Sequence, residues 1–209
     1  VVSTNSSMHD EDIAGTTVQL WRLSDLKLLK TAYLDTGPER YAHINPEEAR
    51  VGPDGAVYVL TLSCGLERVT GFAEGRLDSK LIHVFPGTSC GVPTIVGHYL
   101  IQSVPGIHGY VVLDIADGLR PHEVSRLSIS DAYSPHWTAW DREIGRLVVT
   151  SGRSGDRMYV LKLDERDGAL TIDQGFRDQD GKPGFSFASR TWPHGWTGEG
   201  KPHGAVFSR

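Results

Sequence analysis

The 209-residue chain carries a formal net charge of −5 and no apolar run long enough for a membrane helix. That excludes a basic tracker of nucleic-acid phosphates and a helical membrane protein. With 39% hydrophobic and 22% charged residues it is no disordered chain, and it is long enough to bury a core without needing disulfides.

Helix patterns are scarce; "SDLKLLKTAYL" suggests at most one turn, and its flanks do not extend it. Strand patterns recur in chain order: "TTVQLWRL", "AVYVLTLS", "KLIHVF", "HYLIQSV", "GYVVLDI", "RLVVTSG", "RMYVLKL" and "ALTIDQGF". They are short, β-branched or aromatic, and separated by Gly, Asp, Asn and Pro turns, the pattern of an all-β protein.

The strands repeat in units. Residues 134–176 read as four strands joined by tight turns, the plan of one propeller blade. "NPEEARVGPDGAVYVLTLSCG" opens an earlier unit in the same way, and "GVPTIVGHYLIQSVPGIHGYVVLDIADGLRPHEVSRLSIS" forms another. A period of ~40–45 residues is that of a β-propeller. The expected fold is all-β, a propeller of about four blades of four antiparallel strands. The blade units are placed over 1–35, 42–85, 89–130 and 134–176, with a closing strand over 202–208. "VVSTNSS" reads as a second strand and "KPHGAVFSR" as a first strand. The chain is therefore expected either to close as a four-bladed ring or to be the C-terminal part of a larger one.

First strands line the channel of a propeller. Three of them carry His: His43 in "YAHINPEEARV", His136 in "YSPHWTAW" and His203 in "GKPHGAVF", the last two as Pro-His pairs. A ring of imidazoles on separate blades suits copper, zinc, iron or nickel, with a carboxylate as extra ligand or proton acceptor. His108 precedes a third strand and reads as structural; His194 sits on a Gly- and Trp-rich loop, as a lid or as packing against Trp192 and Trp196. The cluster Asp10, Glu11, Asp12 reads as a solvated loop, and Asp178 with Asp180 as a turn. Cys64 and Cys90 match no zinc or redox spacing and read as small buried or half-buried residues, their pairing open. No Gly-x-Ser-x-Gly elbow, phosphate loop or dinucleotide fingerprint occurs.

The order of these pieces resembles the C-terminal half of the selenium-binding protein family, which includes the copper-dependent methanethiol oxidases. The likeness lies in "VVSTN" followed by "GTTVQLWRLSDLKLLKTAYLD", in "NPEEARV", in "IHGYVVLDIADGLRPHEVSRLSI", and in "GRLVVTSG", "MYVLKLDERDGALTIDQGF" and "PHGAVF". The resemblance implies a seven- or eight-bladed propeller of about twice this length, with a His-rich copper site near its axis. It assigns the closing-strand ligand to His203 and the family's glutamate to Glu48, and it places the other metal histidines before Val1.

The expected function is therefore a metal-dependent, copper-type oxidoreductase acting on a small sulfur or related compound. His203, His136 and His43 are its candidate metal ligands. His136 and Glu48 are its candidate catalytic residues. The implied partners are a small-molecule substrate and a missing N-terminal half or a second copy of the chain. Two alternatives stand: a non-catalytic propeller binding module, and a divalent-metal propeller lactonase or other hydrolase. The composition leaves periplasm and cytoplasm both open.

Overall fold

The computed structural model describes residues 1–6, 15–35, 37 and 44–207. His9, His43 and the acidic loop Asp10 to Asp12 lie outside the described residues.

The described residues form an all-β propeller fold with four blade sheets. Blade I is the antiparallel sheet β1 (Val2–Thr4), β2 (Thr17–Arg22) and β3 (Lys27–Tyr33). Blade II is β4 (Pro46–Val51), β5 (Val57–Thr61), β6 (Gly65–Thr70) and β7 (Asp78–Val84). Blade III is β8 (Thr94–Val96), β9 (Tyr99–Val104), β10 (Gly109–Asp114) and β11 (His122–Ser128), and blade IV is β12 (Pro135–Asp141), β13 (Arg146–Ser151), β14 (Arg157–Leu163) and β15 (Leu170–Ile172). A short β16 (Phe185–Ser186) also pairs with β14, and β17 (Arg190–Thr191) with β18 (Thr197–Gly198) makes a small hairpin. The only described helical turn is a single 3-10 turn over Pro105–Ile107.

The blades stack in chain order because their middle strands are apolar on both faces. Alternate residues of a strand point to opposite sides. Along β5, Val57 and Val59 pack against Val18 and Leu20 of blade I, while Tyr58 and Leu60 pack toward Leu100, Val111 and Leu113 of blade III. Along β10, Tyr110 and Val112 face Leu147, Val149 and Leu161 of blade IV. Burying each such side chain contributes roughly 1.5–3 kcal/mol, so the three inter-blade seams hold the fold. The outer strand β3 has no such partner and is largely exposed.

The pairing of Cys64 and Cys90, left open by the sequence, is decided: the two buried residues form a disulfide. It ties the β5–β6 loop to the segment leading into β8. The closing strand expected over 202–208 is absent: residues 202–207 form no strand, although they lie beside β12. They form no ladder with β1, whose described partner is β2. The strand β6, which sequence reading did not separate, is a third strand with Glu67 buried in its middle.

Candidate functional site

The channel-lining strands β4 and β12 begin alike. In β4 the register runs Pro46↔Thr61 and then Glu48↔Leu60, so Glu47 is bulged out of the ladder. In β12 it runs Pro135↔Ser151 and then Trp137↔Thr150, so His136 is bulged at the corresponding place. A bulge re-aims one side chain away from the regular alternation. Pro202-His203 repeats the Pro-X pair on the segment beside β12.

The bulges are held by the blade before them. The Thr4 hydroxyl donates to the Glu47 carbonyl at 3.0 Å. The Val92 N–H donates to the His136 carbonyl at 2.7 Å. The Thr150 hydroxyl donates to the His203 carbonyl at 3.2 Å. Three backbone carbonyls are thus satisfied from the preceding blade. Gly91 makes the second contact possible, since a Cβ there would lie 2.1 Å from the His136 carbonyl oxygen.

The fold brings His136 and His203 together. Their ring centroids are 4.2 Å apart, tilted by 46°. His136 is half-buried and its Nδ1 has no hydrogen-bond partner, whereas His203 is exposed. Burial, reinforced by the neighbouring His203, pushes His136 below the ordinary imidazole value and keeps it neutral at pH 7. A neutral imidazole can take a proton or coordinate a cation.

Glu48 is brought not to this pair but to Arg50. Its Oε2 accepts a bond from the guanidinium at 2.5 Å, and the Arg50 Nε donates to the Pro93 carbonyl at 3.1 Å. Arg50 lines a cleft of about 420 Å³ along β12, with Trp137, Trp140 and, from the C-terminal segment, Phe207. Glu47, which sequence reading did not single out, keeps a buried Oε2 without a partner; burial and the neighbouring Glu48 push its carboxyl up to about 7. The Pro-Glu spacing, matching the two Pro-His pairs, was the available signal.

Other histidines fall elsewhere. The His108 Nδ1 pairs with the Tyr133 carbonyl at 3.0 Å, a structural tie. His194 is exposed at the tip of the β17–β18 hairpin, whose Trp192 and Trp196 stack on each other. Asp178 and Asp180 are more than a turn: they bind Arg190 and Arg157 and fasten the loops after β15.

The donor set tests a metal. Among the described residues no group of three or more His, Cys, Asp or Glu gathers to hold one. Two imidazoles fall short of the three or four donors that zinc and copper centres take, so these residues alone do not fit a copper ion.

No family model matches the sequence, and no curated protein matches it. Solved structures do resemble it in fold, which makes the chain one of the β-propeller class. A hypothetical selenium-binding protein from Sulfolobus tokodaii is 16% identical with a TM-score of 0.64, over 88% of this chain and 53% of the other. The periplasmic gluconolactonase of Pseudomonas aeruginosa is 19% identical with a TM-score of 0.59, over 77% and 48%. A catalytically inactive virginiamycin B lyase variant from Staphylococcus aureus, solved with quinupristin, is 12% identical with a TM-score of 0.54, over 96% and 74%. The chain spans about half the length of the first two.

Proposed function

We propose that the chain builds the axial face of an enzyme that opens a small cyclic ester, with His136 and His203 as its proton-handling pair. The observation that carries this reading is the contact of the two imidazoles, one of them neutral and half-buried. His136 takes a proton from water as the water oxygen bonds to the ester carbonyl carbon. The ring C–O bond then breaks and the departing oxygen is protonated, giving a hydroxy acid. A cleft of small-ligand size runs along β12 beside Trp137, the residue after His136, and is lined by neither imidazole. Likeness in fold to a gluconolactonase fits this substrate class.

A second reading, the copper-dependent oxidoreductase, is favoured by the unpartnered Nδ1 of His136 beside a second imidazole. It requires donors beyond these two. Hydrolysis of D-glucono-1,5-lactone, followed by acid release, and elemental analysis of the purified protein separate the readings. Lactone hydrolysis lost in His136→Ala supports the first. Stoichiometric copper lost in His203→Ala, without lactone hydrolysis, moves the assignment to the second. A chain with neither property is a binding module.

A further inference from the structure

The geometry points to Glu47, rather than its neighbour Glu48, as the acid that protonates the leaving oxygen in this reaction, a step that rests on the lactone-opening reading above. Four observations support the assignment. Glu47 occupies in β4 the bulged position that His136 occupies in β12, immediately after Pro46 as His136 follows Pro135. Its carbonyl is fixed by Thr4 as that of His136 is fixed by Val92, so the two residues leave their strands under the same restraint. Its Oε2 is buried and bonded to nothing, so its hydrogen-bonding capacity is left for a ligand. Glu48, by contrast, is committed to the Arg50 guanidinium.

The two positions belong to the first strands of blades II and IV. β4 packs on β8, and β8 on β12. Glu47 and His136 therefore mark the starts of two channel strands with one strand between them. An acid on one and a base on the other flank a substrate from two sides. In the balanced step, water adds to the carbonyl carbon and gives its proton to His136. The ring C–O bond breaks, and the Glu47 carboxyl gives its proton to the departing alcohol oxygen. Solvent then returns the proton from His136 to Glu47, so that lactone and water have become a hydroxy acid.

The charge surroundings suit an acid. Of the charged groups near Glu47, Glu48 stands beside it on its own strand, and Arg50 is drawn away by Glu48. The strands packed on β4 add none: β1 and β8 carry no titratable side chain, and Tyr58 of β5 is buried in the core and bonds Asp54. The Glu47 carboxyl, pushed up to about 7, is about half protonated at neutral pH, close to where a general acid works best.

The test measures D-glucono-1,5-lactone hydrolysis against pH for the full chain, Glu47→Gln and Glu47→Asp, each checked for folding by its melting curve. In the unaltered chain the rate should fall as pH rises through about 7. Glu47→Gln should lower kcat about 100-fold and lose that alkaline limb. Glu47→Asp should restore part of the rate and keep the limb. An active chain whose Glu47→Gln variant keeps both rate and limb overturns the assignment and leaves the lactone reading standing. An unaltered chain with no lactone hydrolysis overturns both.

Discussion

His136 and His203 stand with their ring centroids 4.2 Å apart, and each follows a proline and has its carbonyl taken by a group of the blade before it. The backbone of both residues is thus held in place, and the His136 imidazole keeps an Nδ1 without a partner.

The two histidines should act as a unit. His136→Ala and His203→Ala should each lower kcat/KM for the lactone by about 100-fold, and the double variant should be little worse than either alone. Because His203 is exposed, its removal should leave the melting temperature unchanged. Additive losses in the double variant would show that the two rings work separately.

Gly91 should be irreplaceable. A Cβ there would lie 2.1 Å from the His136 carbonyl oxygen and force the bulge to move. Gly91→Ala should cost about 1–3 kcal/mol in urea unfolding and reduce lactone turnover with it. Gly204→Ala, whose Cβ would come no nearer than 3.4 Å to Trp137, should leave stability within about 0.5 kcal/mol of the parent.

Glu67 should make the fold less stable as pH rises. Its side chain is fully buried, and burial pushes its carboxyl up to about 7, against the bonds from Ser79 and the Asp35 N–H that favour ionisation. The folded state therefore holds a proton that the unfolded chain loses near the ordinary glutamate value. Stability should be highest below that value and decline until the folded group ionises near 7, by up to about 3 kcal/mol. Urea midpoints at pH 5 and pH 8 measure it, and Glu67→Gln should reduce the difference, the remainder coming from Glu47, whose carboxyl is also pushed up to about 7. An unchanged pH slope in that variant assigns the effect to another group.

The disulfide should stabilise the chain. Cys64 and Cys90 close a loop with a sequence separation of 26, worth about 3 kcal/mol in lost unfolded-state entropy. For a chain of this size the corresponding drop in Tm on reduction is about 6–12 °C. Both cysteines are buried, so reduction should require partial unfolding and proceed slowly under native conditions. Rapid labelling of two thiols in native, unreduced protein would contradict the bond.

Much of the fold was written in the sequence. The stretch "AVYVL" is apolar at every position, and a strand reads so when both faces are buried. That local fact, repeated at propeller spacing, was enough to predict stacked blades. The Pro-His pairs were legible for the same reason: they recur at the same place in the repeat, and the structure brings His136 beside His203.

Tertiary structure alone decided the rest. The alternation of "NPEEARV" cannot show which glutamate leaves the ladder, because a bulge shifts every later side chain by one face. Only the register, Pro46↔Thr61 then Glu48↔Leu60, turns Glu48 to Arg50 and leaves Glu47 unpaired. The bond between Cys64 and Cys90 was equally hidden, since β6 and β7 must first carry the chain out and back before the two sulfurs meet. Local propensity and periodicity are properties of neighbours in sequence and were settled there. The pairing of distant groups depends on where the chain returns, and that only the packed blades determine.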